Sequence, residues 1–145
     1  MPDLPAGGNS PVLHRALSAR LLSLSILAGG AAGALIRAAV AEVLPQASGT
    51  WPWATFGVNL VGTAFLAWLT TRLTEIAAPT RYWRPLLGTG LCGALTTFST
   101  FQVETIRLAK HGDPVLAAGY SGASIAAGMA LAAGATILAR RQRYG

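Results

Sequence analysis

The run Thr96-Thr97-Phe98-Ser99-Thr100-Phe101 sits inside an otherwise apolar stretch. Lipid cannot hydrogen-bond, so polar groups at membrane depth face protein, a cavity or an ion. Phe98 and Phe101 are three apart, which places them on one helical face, and Glu104 continues the stripe. A phenyl ring has a positive edge, so two edges can line a path for an anion without holding it irreversibly. Two phenylalanines at helical spacing also suit plain core packing. Gly88, Gly90 and Gly93 precede the hydroxyl run. Glycine and β-branched threonine favour helix less than alanine or leucine, so a break in the helix is expected here. Freed carbonyls need partners, and such hard oxygen ligands suit a small cation.

Three further sites carry polar groups where they are expensive. Thr55, Asn59 and Thr63 recur every four residues and share a face. The Asn59 amide has two N–H donors. It suits either an interhelical hydrogen bond, a common glue between membrane helices, or a donor aimed at an anion. Tyr120, Ser121 and Ser124 lie in the last apolar tract, with Tyr120 and Ser124 on one face. Their hydroxyls suit bonds to a neighbouring helix or a polar track for an ion. Glu104 and Arg107 are spaced for a helix-surface ion pair. Arg37 falls in the inner part of the first apolar tract, where snorkelling to the interface accounts for it. Both positions also suit attraction of ions to a vestibule. No catalytic constellation is present: His14 and His111 lie in terminal or loop segments, and no nucleophile pair or phosphate loop occurs.

The elements that must position these groups follow from composition. Of 145 residues, 52% are apolar and only 11% charged, under half the charged share of a soluble domain. Four tracts reach the roughly 20 residues that cross a bilayer: about 21–44, 53–71, about 85–108 and 114–138. Trp51, Trp53, Tyr82 and Trp83 fall at their edges, where amphipathic rings prefer the interface. Gly29, Gly30, Gly33, Gly57, Gly62, Gly119, Ala123 and Ala127 suit close helix packing, and so thin a bundle is expected to oligomerise. The net charge is +6. Its Lys and Arg residues sit at tract ends, which points to lipid headgroups and away from nucleic acid. Arg15, Arg20, Arg72, Arg81, Arg84, Arg140, Arg141 and Arg143 fall on one side of four spans, and the positive-inside rule places both termini in the cytoplasm. Residues 1–20 read as a disordered cytoplasmic tail, 21–140 as one four-helix membrane domain and 141–145 as a basic tail. Ala39-Val40-Ala41 resembles a signal cleavage site, but the apolar stretch before it is too long for a typical signal. Cys92 is the only cysteine and reads as a buried small side chain.

These residues carry a resemblance. Gly29-Gly30-Ala31-Ala32-Gly33-Ala34-Leu35-Ile36-Arg37 looks like GGxxGxxxR, and Thr55 to Gly62 is similar to TxxVNxxG. Gly90 to Phe101, followed by Glu104, matches at length. On these motifs the chain resembles the Fluc (CrcB) family of bacterial fluoride channels along residues 21–140. The resemblance implies an all-α integral membrane protein with four transmembrane helices, the third broken near its middle, assembled as an antiparallel dimer in the plasma membrane. It implies passive, fluoride-selective export. Fluoride would be contacted by Asn59, Phe98, Ser99, Thr100 and Phe101, with Glu104 along the pore and Tyr120 and Ser124 as a polar track. Gly93 and Thr96 would offer carbonyls to a structural sodium ion at the dimer centre, while Arg37 and Thr55 would serve the vestibule or the structure. Ala54, Ala64 and Ala67 depart from the family's usual residues, away from Asn59. The basic bias is a further departure. It suggests a fixed orientation and an oppositely oriented paralogue as partner, with a homodimer as the alternative.

Three other readings are weaker. A small multidrug exporter needs a carboxylate buried in its first span, and Glu42 lies at that span's very end. A non-conducting scaffold leaves the Asn59 stripe and the 96–101 run without a purpose. An enzyme lacks a site.

Overall fold

The computed structural model describes residues 11–76, 81–110 and 112–142, all of it helix and connecting turns. Helix α1 spans Pro11–Val43. Residues 11–20, expected in a tail, are its first turns, whereas 1–10 and 143–145 lie outside the described residues, as does His111. At 1.5 Å per residue, the 33 residues of α1 reach about 50 Å, well past a hydrocarbon core of roughly 30 Å. Helix α2 spans Trp53–Thr71 and continues as a wider π-wound turn, Arg72–Ile76. Helix α3 starts with a π-wound stretch, Arg84–Cys92, and ends as Gly93–Leu95. Thr96 is extended, at φ −80° and ψ 149°. Helix α4 spans Phe98–Lys110 and α5 spans Pro114–Arg141. Among the described residues three helices, Arg15–Val43, Trp53–Glu75 and Pro114–Arg141, are each long and apolar enough to cross a membrane. The architecture is that of an all-α membrane protein.

Local chemistry sets the boundaries. Gly112 turns the chain at φ 92°, a region open to glycine at no steric cost. Asp113 then caps α5 by accepting from the Leu116 N–H at 2.8 Å, and Pro114 fills the first turn, where its missing N–H costs nothing.

The helices pack in two parallel pairs. Gly29 of α1 faces Leu86 of α3, Gly33 faces Leu91, and Arg37 reaches Ala94; both helices therefore run the same way. Leu66 and Gly62 of α2 lie against Gly88 and Thr96 in the reverse sense. Helices α2 and α5 run together, from Phe56 beside Tyr120 to the Glu75–Arg140 ion pair. Arg72 and Arg140, at the ends of α2 and α5, therefore lie at the same end of the bundle.

Glycine makes the α1–α3 contact possible. A Cβ on Gly29 would overlap the Leu86 carbonyl oxygen, and one on Gly33 the Leu91 carbonyl oxygen. On Gly90 it would lie 2.6 Å from the Ile26 oxygen. In lipid, close backbone approach replaces the hydrophobic effect as the source of helix association. Gly57 and Gly119, expected among the packing glycines, have nothing within 4 Å of where a Cβ would stand.

Candidate functional site

Thr96 and Thr97 join the end of α3 to the start of α4, and the backbone of Thr97 is held by a side chain from α2. In a continuous helix the Thr97 N–H would bond to the Gly93 carbonyl. Here it donates to Asn59 Oδ1 at 2.8 Å, while Asn59 Nδ2 donates to the Thr97 carbonyl at 3.1 Å. Asn59 therefore clamps both polar groups of one residue and retains one N–H. Ala94, whose helical donor would be Phe98, accepts from Arg37 Nε at 3.1 Å. Snorkelling is thus not the whole account of Arg37: it satisfies a carbonyl at the end of α3. Thr96 folds back on that end, its N–H and hydroxyl both donating to the Cys92 carbonyl at 3.0 and 2.9 Å.

Thr97 also caps α4. Its Oγ1 accepts from the Thr100 N–H at 3.2 Å and donates to Thr100 Oγ1 at 3.0 Å, satisfying an orphan donor of the first turn. The Ser99 hydroxyl lies 3.4 Å from the same Thr97 oxygen. Sequence reasoning gave Thr97 no separate duty. The signal was available, because threonine is a favoured residue immediately before a helix start.

Beside this join lies an open cleft of about 290 Å³ lined by Asn59, Thr63, Thr96, Thr97, Phe98, Phe101, Ser124 and Ile125. It brings α2, α4 and α5 together. Phe98 and Phe101 stack at 6.0 Å between centroids, and Phe98 is 69% exposed. The Ser124 hydroxyl is buried and has no hydrogen-bond partner among the described residues. Thr63 lines the cleft with Asn59, as their shared face suggested, whereas Ile125 was not singled out from sequence, since an isoleucine does not depart from ordinary helix composition. Gly93 and Ser99 are exposed beside the cleft and do not line it.

Behind Phe101 the stripe ends in a buried hub. Glu104 Oε1 accepts from Thr55 Oγ1 at 2.7 Å, and Oε2 accepts from the Tyr120 hydroxyl at 2.9 Å. All three residues are buried. The expected Glu104–Arg107 pair is not made, because both carboxylate oxygens turn inward. Trp51 is not a simple interface anchor either. Its ring packs edge-on against Phe56 and Tyr120, each at 5.4 Å, and its buried indole N–H has no partner among the described residues. Phe101 completes the wall, 5.1 Å from Tyr120.

The hub has a consequence for stability. Removing a donor leaves a buried carboxylate oxygen unpaired, at about 1–3 kcal/mol or more for a charged group. Tyr120→Phe and Thr55→Val should each lower the thermal stability of the detergent-purified protein by that much. Thermal melts near wild type for both variants would show that Glu104 finds other donors.

The arrangement offers an open cleft walled by two phenylalanine rings and flanked by N–H and O–H donors, with a buried carboxyl group behind Phe101. It holds no nucleophile–base pair, and the described residues hold no cluster of three or more His, Cys, Asp or Glu suited to a metal. Comparison with known proteins agrees in kind. The family model described as CrcB-like protein, Camphor Resistance (CrcB), matches residues 24–136. The chain is similar to a Mycobacterium bovis protein named Fluoride-specific ion channel FluC 1, being 52% identical over 119 residues that cover 82% of this chain and 90% of that one. It is 40% identical over 111 residues to a Streptomyces avermitilis protein of the same name, covering 75% of this chain and 88% of that one. A Chlorobaculum tepidum protein named Fluoride-specific ion channel FluC is 38% identical over 121 residues, covering 81% and 93%.

Proposed function

The chain belongs to the CrcB family, and on that premise we propose that it is a passive fluoride-selective channel that lets fluoride leave the cell. Its relatives are named as ion channels and not as enzymes. The observation that most supports the reading is the cleft in which Asn59, stacked Phe98 and Phe101, and the unpartnered Ser124 hydroxyl converge. Fluoride is small and strongly hydrated. A selective path must replace water with donors and stay too narrow for larger halides. The free Asn59 N–H, the positive ring edges and the Ser124 hydroxyl are donors of that kind in the cleft; the hydroxyls of Ser99 and Thr100, at the start of α4, lie outside its lining. Glu104, held by Thr55 and Tyr120, would line the continuation of the path.

Helices α3 and α4 read as one membrane crossing interrupted at Thr96 and Thr97. The exposure of Phe98, an apolar ring beside an open polar cleft, supports a second subunit closing the path, and an antiparallel dimer is the arrangement we favour. At the interruption, Gly93 has lost its usual helical donor to Asn59, and nothing lies within 4 Å of where its Cβ would be. This donor chemistry fits a sodium ion held by the carbonyls of Gly93 and Thr96. Hard cations take about six or more oxygens, so a second subunit would complete the set. The ion would supply a fixed positive charge and a structural link. The basic end of the bundle supports a fixed orientation with both termini in the cytoplasm of the plasma membrane; a partner of opposite orientation then need not be an identical copy.

Liposomes loaded with fluoride or chloride and reconstituted with the purified protein test the function. Fluoride efflux without chloride efflux is the expected result. Folded protein that passes no fluoride, or both ions alike, would sink it.

A further inference from the structure

A second cleft, of about 460 Å³, opens between α2 and α3 at the end of the bundle away from Glu104. Its volume lies within the roughly 300–1,000 Å³ typical of small-ligand sites. Helix α2 lines it with Leu66, Leu69 and Thr70, and α3 with Arg84, Pro85, Gly88 and Thr89. The Thr70 and Thr89 hydroxyls make no hydrogen bond among the described residues, and Arg84 makes no ion pair there. Two other arginines at this end are engaged, and Arg81 and Arg141, which make no ion pair among the described residues, do not line the cleft. Glu75 is bound by Arg140 at 2.8 and 3.0 Å, and Arg72 lies over the Trp68 ring at 5.8 Å. The depth of the cleft is marked by Tyr82 and Trp83, directly before Arg84 and 38% and 52% exposed. Such rings sit at the headgroup level of a bilayer.

We propose that this cleft binds the headgroup of one anionic glycerophospholipid. The phosphodiester meets Arg84, whose planar fork matches phosphate oxygens. Thr70 and Thr89 donate to the remaining headgroup oxygens, and an acyl chain follows Leu66 and Leu69 toward the bilayer interior. A lipid, and not a free phosphate, suits the site because apolar side chains line the cleft beside the polar ones. Basic pockets between transmembrane helices at headgroup level have this chemistry. The proposal goes beyond ion conduction and does not depend on which ion crosses.

Native mass spectrometry of the full-length protein, with phosphatidylglycerol and phosphatidylcholine of identical chains in competition, tests it. Both lipids offer Arg84 a phosphodiester, but the choline cation of phosphatidylcholine offsets that charge and has no oxygen for Thr70 or Thr89, so wild type should retain phosphatidylglycerol with about a tenfold preference, the size of one charge-assisted contact. Arg84→Gln should bring the two lipids near parity, whereas Arg84→Lys should keep most of the preference. Gly88→Leu places a side chain in the cleft and should displace the lipid. A Cβ at Gly88 meets only Leu66 Cδ1 at 3.6 Å, an ordinary contact, so the variant is expected to fold, as a thermal melt would verify. Equal retention of both lipids by wild type would overturn the proposal. So would an undiminished preference in Arg84→Gln, or displacement of phosphatidylglycerol by millimolar inorganic phosphate.

Discussion

Asn59→Asp should reduce fluoride flux in reconstituted liposomes by at least about a hundredfold while the protein still purifies as an assembled species. Two effects act together. The carboxylate keeps the acceptor for the Thr97 N–H but loses the donor to the Thr97 carbonyl, so one oxygen now faces another across the distance, 3.1 Å, that a hydrogen bond occupied. That loss alone should cost about 1–3 kcal/mol of stability. The second effect falls on the ion. A unit negative charge about 4 Å from a permeating anion opposes it by roughly 4 kcal/mol at an effective dielectric constant near 20, which corresponds to a factor of about a thousand. Asn59→Ala separates the two, because it removes the clamp without adding charge. Flux should fall less in the alanine variant than in the aspartate variant. Equal flux in the two would show that Asn59 acts only by holding the Thr97 backbone, and wild-type flux in Asn59→Asp would remove it from the path.

Gly29→Ala and Gly33→Ala should each destabilise the protein by about 3 kcal/mol or more, enough to abolish its recovery in mild detergent. The added methyl would meet the backbone oxygen of Leu86 in one case and of Leu91 in the other. Backbone cannot rotate aside as a side chain can, so α1 and α3 must separate along the contact. Overpacking of this kind usually costs about 1–3 kcal/mol, and more where nothing yields. Arg37 sits one turn beyond Gly33, and its bond to the Ala94 carbonyl would stretch with the same movement. Gly57→Ala is the matched control: nothing lies within 4 Å of its Cβ position, and alanine is the better helix former by about 1 kcal/mol. It should match or exceed wild type in thermal unfolding. Similar losses in all three variants would contradict the packing described for α1 and α3.

The membrane class of this chain was legible without coordinates. Apolar tracts near 20 residues, few charges and arginines gathered at tract ends follow from the cost of placing charge in hydrocarbon, and that cost acts on each segment separately. Helical periodicity likewise set Phe98, Phe101 and Glu104 on one stripe, and Thr55, Asn59 and Thr63 on another. Periodicity says which residues share a face and is silent about what the face meets. For this reason Glu104 read as a partner for Arg107 in the next turn, when its carboxylate in fact joins α2 to α5 through Thr55 and Tyr120.

The partners of Asn59, Arg37 and Glu104 lie 38, 57 and 49 residues away in the chain, and only the packing of the helices brought them within reach. Tertiary structure also sorted the glycines, since composition cannot tell Gly33, pressed against a backbone oxygen, from Gly57 in open space. The hydroxyl and phenylalanine run stands out in the sequence as an oddity. Its division of labour depended on a neighbouring helix: Thr97 serves as cap and as the residue Asn59 grips, and Phe98 and Phe101 wall the cleft. Burying a polar group is costly without a partner, and for Asn59, Arg37 and Glu104 that partner comes from another helix or from the α3–α4 join.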